Sequence, residues 1–484
     1  MSERQALGLG LGFVLALTLW RVALLAFART ELFVDEAQYW FWGQNLDFGY
    51  YSKPPLIAWI IRAVTDLAGS DAPFWVRLPA PLFHMGTAFI LMAIARRLYG
   101  PGAAAWAGPV YAALPFVSVG SALFSTDTPM LFFHALAILL WLRLMARPTG
   151  AGAFMLGLAV GLGLLAKYAM IYFVLGAGLA SLFIPAARIP PRAALIAGAA
   201  ALAVFAPNIW WNFQTGGTTI EHTLYNAEWK DPAAGPDLLG GLRFLGEQFA
   251  VFGPILFAAY LLLALRAPFG LRFPHAGLLL WLSAPVTALM VMQGMFGSAN
   301  ANWGVAAYTG GSVLVTAWLL ARARPWLIAS QALHLALALA LPVLLILAPD
   351  LRKSDGHQWL HRYLGRGEVS ERLAGIAREN GIGVIVAGNR DFSADLHYTL
   401  RDAGDLRLYA LPGSGFPASY YEQEFPVPAD TASPVLLATL DRRPACAHVL
   451  AEWSPKDGAY DDQTIYASRV TPDCLKTLMR EGFR

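Results

Sequence analysis

Long apolar runs occupy most of the first 348 residues, and this pattern restricts the folds open to the chain more than any other feature. A helix that crosses the hydrocarbon core of a bilayer needs roughly 20 apolar residues, and about 11 such runs can be placed. Charged residues make up only 14% of the chain, compared with about 25% in soluble domains. The sequence therefore predicts a polytopic α-helical membrane protein with about 11 to 13 transmembrane helices. The runs are 7–27, 78–95, 102–120, 129–146, 152–166, 168–186, 193–211, 248–266, 275–292, 304–321 and 325–348.

Arginines predict the orientation, because short cytoplasmic loops of membrane proteins are rich in Lys and Arg. They recur in alternate loops: Arg96 with Arg97, Arg143 with Arg147, Arg188 with Arg192, Arg266 with Arg272, and Arg322 with Arg324. The loops predicted to face outward are 28–77, 121–128, the junction at Lys167, 212–247 and 293–303. Every segment with suggestive chemistry lies in these outer loops. A net charge of +3 gives no indication of nucleic-acid binding.

The composition changes to mixed polar after about residue 349. We predict two domains, a transmembrane domain at 1–349 and a small α/β domain at 350–484. ERLAGIAREN is typical of a helix, whereas GIGVIVAGNR and VLLATL are typical of buried strands. The last apolar run leads outward, which places the second domain outside the membrane. The two cysteines, Cys446 and Cys474, suit a disulfide in an oxidising compartment, but two thiols alone do not decide this.

The outer loop 28–77 contains charges that are costly beside a bilayer. Asp35 and Glu36 lie in DEAQYWFW, and Lys53 lies in SKPPL. Asp35 has two interpretations, a general base acting on a hydroxyl or the N-cap of an aromatic-rich helix. Lys53 either binds a phosphate as a point charge or reaches lipid headgroups. The segment PPLIAWIIRAVTDLA after it predicts a helix in the membrane interface.

Further polar residues interrupt the apolar pattern at outer-face positions. Asp127 in STDTP either caps a helix or has a functional role, and Lys167 in LLAKY needs an anionic partner such as Asp127, Asp35 or a phosphate. Glu221 and His222 form only a weak metal signal, because their spacing is not that of a ligand set. Metal dependence stays open. No phosphate-binding loop or dinucleotide fingerprint occurs.

These motifs together resemble the GT-C glycosyltransferases of the protein-O-mannosyltransferase superfamily, in a bacterial branch related to the lipid A aminoarabinose transferase. The resemblance covers about the first 320 residues. It implies inverting transfer of a sugar from a polyprenyl-phosphate donor to a lipid, glycan or protein acceptor, on the periplasmic face of the bacterial inner membrane. The matching segments are VDEAQYWFW, GYYSKPPLIAW, STDTP, LLAKY, PNIWWNFQTGG and NWGVAAY.

The resemblance also implies residue roles. Asp35 matches the position of the catalytic carboxylate, and Asp127 matches a second acidic position that is expected to orient the first loop. Glu36 is grouped with these catalytic candidates as support for its neighbour, and Lys53 and Lys167 are expected to hold the donor phosphate. Substrate contacts are expected from Tyr39, Tyr51, Tyr168, His222, Asn302 and Trp303. The aminoarabinose transferases carry an arginine and a glutamate where this chain has Gln38 and Ser52. This departure argues against aminoarabinose specificity and against a metal held by that glutamate and a histidine such as His222.

A transporter and a scaffold are the two alternatives to an enzyme. A polytopic transporter or flippase of lipid-linked glycans would place polar residues near mid-membrane in broken helices, often within internal repeats. The charged groups here gather at one face instead. A non-catalytic scaffold would do its work through 350–484. The identity of the sugar and of the acceptor cannot be read from the sequence.

Overall fold

Helices form nearly all of the regular structure before residue 348 in the computed structural model, which describes residues 2–226, 228, 235–413 and 415–482. Each predicted apolar run is helical, which confirms a polytopic α-helical protein. The helices are α1 (Glu3–Leu25), α2 (Val34–Gln44), α3 (Leu56–Ala68), α4 (Pro73–Arg77), α5 (Pro79–Tyr99), α6 (Pro101–Ala113), α7 (Pro115–Gly120), α8 (Asp127–Ala146), α9 (Gly150–Ala166), α10 (Ile171–Phe183), α11 (Pro191–Gln214), α12 (Thr218–Asn226), α13 (Leu238–Val251), α14 (Pro254–Arg266), α15 (Ala276–Trp281), α16 (Ala284–Phe296), α17 (Ala307–Arg322) and α18 (Arg324–Leu347).

Six helical stretches within the described residues are long and apolar enough to cross a membrane. They are Glu3–Leu25, Pro73–Tyr99, Asp127–Ala146, Pro191–Gln214, Ala276–Phe296 and Arg324–Leu347. Other predicted runs form shorter or interrupted helices, so the total of 11 to 13 spans stays a prediction. The run 248–266, for example, is divided between α13 and α14. Gly253 has φ 92° and precedes Pro254, and this left-handed backbone ends one helix before the next begins.

The chain forms two compact units. The first, called here the helical unit, consists of Met1–Ala26, Ser52–Ile60 and Arg77–Pro342. The second, called the sheet unit, consists of Phe27–Tyr51, Ile61–Val76 and Val343–Arg484. Helix α2, which carries the acidic pair, therefore folds with the C-terminal residues. A functional division at residue 349 stays a prediction.

A mixed five-stranded sheet with strand order β2-β1-β3-β5-β4 lies at the centre of the sheet unit. Strand β1 pairs in parallel with β2 and β3, whereas β5 pairs antiparallel with β3 and β4. The predicted helix and both predicted strands are present. The elements are α19 (Arg366–Glu379), β1 (Val384–Ala387), α20 (Arg390–Thr399), β2 (Arg407–Ala410), α21 (Tyr420–Glu424), β3 (Val435–Leu440), β4 (His448–Trp453), β5 (Ile465–Val470) and α22 (Pro472–Glu481). A disulfide joins Cys446 to Cys474.

The segment before α2 is bound to the sheet unit by a helix cap. The carboxylate of Glu31 accepts hydrogen bonds from the backbone N–H of Arg366 at 2.6 Å and of Gly367 at 3.1 Å. These groups lie at the N-terminus of α19, where an anion is favoured. The side chain of Arg366 in turn pairs with buried Asp395 at 2.9 Å. Glu31 thereby fixes the entry to α2.

Helix α2 packs on α20 through aromatic side chains. The ring of Phe41 lies 4.4 Å from that of His397, and Trp40 lies edge-on to Tyr398 at 5.0 Å. Asp71 connects both helices, since it accepts from Trp40 Nε1 at 2.7 Å and its carbonyl accepts from Tyr398 at 2.6 Å. Burial of these rings stabilises the contact. The aromatic residues of DEAQYWFW are thus largely an interface with the C-terminal residues.

Close packing of α9 against α11 positions the end of α9 in the helical unit. A Cβ atom at Gly157 would lie 2.3 Å from the carbonyl oxygen of Ala197. Small residues let helix backbones approach closely within membranes. Lys167 follows the last residue of α9, so its place depends on this approach.

We expect Gly157→Ala to lower the thermal unfolding midpoint of the detergent-solubilised protein. The new methyl group overlaps the backbone of α11, and such overpacking costs about 1–3 kcal/mol. Gly198→Ala is the matched control, because a Cβ there meets no atom within 4 Å. It should leave the midpoint unchanged or raise it slightly, since Ala favours helix by about 1 kcal/mol. Equal midpoints for the two variants would contradict the close contact.

Candidate active site

Asp35 occupies the second position of α2 and faces Arg390 of the sheet unit. Its Oδ1 accepts a hydrogen bond from Nη2 of Arg390, and Nε of Arg390 donates to Oε1 of Gln38 at 2.8 Å. The side chains of Asp35 and Arg390 are 45% and 39% exposed. The carboxylate is therefore held by a cation while a reactant can still reach it.

The N-cap interpretation of Asp35 is wrong. Helix α2 begins at Val34, and Phe33 is its N-cap. Glu36 supplies the capping carboxylate, because its Oε2 accepts from the backbone N–H of Phe33 at 3.0 Å. Glu36 is only 1% exposed. This contact shows that Glu36 rather than Asp35 caps α2, and a catalytic role for Glu36 stays a prediction.

Arg390 was not found by sequence reasoning, although a local signal exists. It follows strand β1 by three residues in the segment AGNR. The N–H of Gly388 donates to the carbonyl of Ala438 in β3 at 2.8 Å, and a Cβ at Gly388 would lie 2.7 Å from that oxygen. Asn389 then caps α20 by accepting from Phe392 N–H at 2.8 Å. Gly388 lets the backbone lie close to β3, and the cap by Asn389 starts α20 directly after it. Together they fix the backbone position of Arg390.

The helical unit contains a cavity of about 320 Å³ that collects four residues predicted from sequence. Lys53 and Lys167 line it together with Tyr168 and Trp303. Sequence reasoning assigned no substrate contact to the other lining residues, among which Gln293 and Thr223 are polar. The complete lining is Ser52, Lys53, Pro54, Lys167, Tyr168, Ala169, Ile171, Tyr172, Thr223, Met290, Gln293 and Trp303. Two ammonium groups beside apolar and aromatic surface suit an anionic headgroup with a hydrocarbon chain.

Lys167 has the anionic partner that its position required. Its Nζ lies 2.7 Å from Oδ1 of Asp127, and both side chains are largely buried. The other oxygen of Asp127 accepts from Nδ2 of Asn302 at 2.9 Å. Capping by Asp127 is wrong, because the N-cap of α8 is Thr126 and no side-chain cap bond forms. Asp127 instead orients Lys167 and Asn302.

Tyr168 is fixed by polar side chains of α11. Its hydroxyl donates to Oδ1 of Asn208 at 2.9 Å and accepts from Nδ2 of Asn212 at 3.2 Å. Lys167 has an extended backbone between α9 and the next helical turn. The chain therefore turns at Lys167 and presents two consecutive side chains to one cavity.

The remaining predicted residues are placed differently. Tyr39 is buried, with its ring 5.1 Å from that of Trp42. Tyr51 is also buried and donates its hydroxyl to the carbonyl of Pro417 at 2.7 Å. His222 lies half-buried in α12, one residue before the lining residue Thr223. Substrate contacts by these side chains stay predictions.

Glu221 and His222 do not form a metal cluster within the described part of the chain. The one group of three or more potential ligands found among the described residues consists of His357, Asp461 and Asp462 in the sheet unit. This group is not buried, since Asp462 is exposed to solvent.

Comparison with known proteins identifies the class of the chain as a membrane glycosyltransferase. A family model described as dolichyl-phosphate-mannose-protein mannosyltransferase matches residues 52–211. The chain is 46% identical to the lipid A galacturonosyltransferase RgtD of Rhizobium johnstonii over 480 residues, which cover 98% of this chain and 100% of that protein. The chain belongs to the glycosyltransferase family of that protein. This confirms the predicted enzyme class over the transporter and scaffold alternatives.

Other relatives agree in part. The lipopolysaccharide core galacturonosyltransferase RgtA of the same organism is 31% identical over 139 residues, or 28% of each chain. ArnT from Cupriavidus metallidurans has the same fold, with TM-scores of 0.65 in the apo state and 0.66 bound to undecaprenyl phosphate. Identity to ArnT is 15%, and the match covers 94% of this chain and 97% of ArnT. The predicted GT-C fold is confirmed.

We expect Asp127 and Lys167 to be energetically coupled. Asp127→Asn and Lys167→Met each leave a largely buried partner without its counter-charge, so each should lower the unfolding midpoint. The double variant should lose less than the sum, with a coupling of about 1–3 kcal/mol. The same cycle on the exposed pair Arg62 and Asp66 is the control and should give at most about 0.5 kcal/mol. Additive losses at Asp127 and Lys167 would contradict the pair.

Proposed function

We propose that this glycosyltransferase transfers galacturonic acid from a polyprenyl-phosphate donor to lipid A, with inversion, on the periplasmic face of the inner membrane. The sugar and the acceptor are inferred from RgtD, which is 46% identical over its full length. The observation that supports donor binding is the cavity lined by Lys53 and Lys167 in the helical unit. The half-exposed carboxylate of Asp35 in the sheet unit separately supports a general base. The remaining steps follow from these groups.

The cavity residues bind the donor headgroup. Lys53 and Lys167 face the phosphate, and Tyr172 and Met290 offer apolar surface to the first isoprene units. Asp127 keeps the Lys167 ammonium in place through its 2.7 Å contact. Lysine suits this role because an ammonium acts as a compact point charge toward phosphate.

Asp35 acts as the general base. It takes the proton of the acceptor hydroxyl as the oxygen attacks C1 of the sugar, and the bond between C1 and the phosphate oxygen breaks. The electron pair leaves with the polyprenyl phosphate, whose growing charge the two lysines offset. A phosphate leaving group needs no proton donor. One displacement of this kind inverts the configuration at C1.

The periplasmic orientation is supported by two independent features. Arginines recur in the loops opposite to those that carry the proposed site, as expected for cytoplasmic loops. The Cys446–Cys474 disulfide lies in the sheet unit, and disulfides persist in the bacterial periplasm rather than in the cytosol.

Mass analysis of lipid A from a deletion strain tests the acceptor. Loss of one galacturonic acid residue is expected, and unchanged lipid A would contradict this assignment.

Asp35→Asn should abolish transfer while it preserves the fold. Removal of a general base lowers kcat by about 10²–10⁴-fold, measured by mass spectrometry of lipid A incubated with purified protein and polyprenyl phosphate galacturonate. Asp66→Asn is the control, because Asp66 is an exposed carboxylate in the same outer loop, and it should keep wild-type turnover. Equal turnover by Asp35→Asn and wild type would exclude Asp35 as the base.

Lys53→Ala and Lys167→Ala should each weaken binding of undecaprenyl phosphate, a probe with the phosphate but no sugar. A hydrogen bond to a charged group contributes about 1.5–3 kcal/mol, so the expected rise in Kd is about 10- to 100-fold. Lys456→Ala, at an exposed lysine, should bind like wild type. Unchanged affinity in both cavity variants would remove the lysines from phosphate binding.

A further inference from the structure

We propose that Arg390 is the residue that recognises the carboxylate of the transferred uronic acid, and so determines the preference for this acidic sugar over its neutral counterpart. The inference rests on the proposed function, because Asp35 must act at the sugar for Arg390 to be near it. It adds a substrate contact from the C-terminal residues, for which sequence reasoning found no role.

The guanidinium of Arg390 is only partly used. Nε is bound to Gln38, and Nη2 is bound to Asp35. Nη1 has no hydrogen-bond partner in the described part of the chain, and the side chain is 39% exposed. A planar guanidinium offers five donors in a fixed fork that matches a carboxylate. Two nitrogens of this fork are thus held beside the proposed base, and Nη1 is the nitrogen we assign to the ligand.

The sheet places Arg390 where this kind of domain binds ligands. Strand β1 lies between β2 and β3, and both pair with it in parallel. The chain passes from β1 through α20 to β2 on one side, and then to β3 on the other. Ligands of open α/β sheets bind outside the carboxyl ends of strands where the order reverses in this way. Arg390 lies three residues after Ala387, the last residue of β1.

The local electrostatics favour an anion. Arg390 is the first residue of α20, so the positive end of the helix dipole adds to the guanidinium. The first turn also contains the acidic Asp391, so Arg390 is the cationic side chain of this helix end. An uncharged sugar would gain little from such a group.

The reaction itself strengthens the contact. Asp35 neutralises Arg390 before transfer, so an incoming carboxylate shares the guanidinium with it. When Asp35 takes the proton of the acceptor hydroxyl, the guanidinium loses its counter-charge. A sugar carboxylate on Nη1 then compensates it in the transition state, where stabilisation raises the rate. Binding of the sugar carboxylate and proton transfer to Asp35 are therefore coupled through Arg390.

The test compares two donors that differ only at C6, polyprenyl phosphate galacturonate and polyprenyl phosphate galactose. The full-length protein in lipid nanodiscs is assayed with lipid A, and kcat/KM is measured for each donor. Inhibition of galacturonate transfer by the galactose donor is measured as well, so that a donor that binds without reacting is still recorded. Wild type should prefer the uronate donor by at least about 100-fold.

Arg390→Gln should reduce this preference to less than about 5-fold, because it removes the charge and the fork while it keeps a side chain of similar reach. Arg390→Lys, which keeps the charge alone, should give an intermediate preference. Arg378→Gln is the matched control, since Arg378 forms an exposed ion pair with Asp405 in the same unit, and it should keep the full preference.

The outcomes separate the two proposals. If Arg390→Gln lowers kcat/KM for both donors by the same factor, Arg390 only positions Asp35 and the inference is wrong. If wild type uses both donors equally, the inference is also wrong. If wild type transfers from neither donor, the proposed function fails as well. A selective loss with the uronate donor supports both.

Discussion

The contact of Asp35 with Arg390 joins the proposed catalytic carboxylate to the residues of the C-terminal sheet. Helix α2 belongs to the sheet unit, because the cap from Glu31 and the rings of Trp40 and Phe41 bind it there. The carboxylate therefore has a position that a free outer loop could not give it. Residues 350–484 contribute Arg390 to the proposed site.

Charge at the membrane face is the second constraint. Unpaired ions beside a bilayer are costly, and the chain meets this cost by pairing Lys167 with Asp127 and by lining one cavity with both lysines. Asn302 and the amides of α11 complete the polar contacts. The lysines in this arrangement are the groups that we propose bind the donor phosphate. The close approach of α9 to α11 at Gly157 fixes the backbone from which Lys167 projects.

Sequence patterns predicted the part of the site that depends on local signals. Lys53, Lys167, Tyr168 and Trp303 belong to short motifs at outer-face positions, and the structure gathers them around one cavity. Hydrophobic runs predicted helices correctly, but Gly253 shows why span counting failed to resolve breaks. A single left-handed glycine interrupts a helix without changing its apolar pattern.

The missing part depends on tertiary contacts. Arg390 lies 355 residues from Asp35, and no period or spacing connects them. The sequence could not decide between capping and a functional role for Asp35 and Asp127, because an acidic residue near a helix start has the same local signature whether it binds an N–H group or a distant cation. Glu36 caps α2 because the helix begins at Val34. Asp35 therefore does not cap the helix and binds Arg390 instead. Only the tertiary partner of the carboxylate distinguishes a helix cap from an ion pair with a distant residue.

The most direct test is an electron cryomicroscopy structure of the Asp35→Asn variant with polyprenyl phosphate galacturonate bound. The phosphate should contact the ammonium groups of Lys53 and Lys167. The sugar should lie beside residue 35, with its carboxylate on Nη1 of Arg390. A phosphate remote from both lysines, or a sugar out of reach of residue 35, would contradict the assignment of the base and of the donor site.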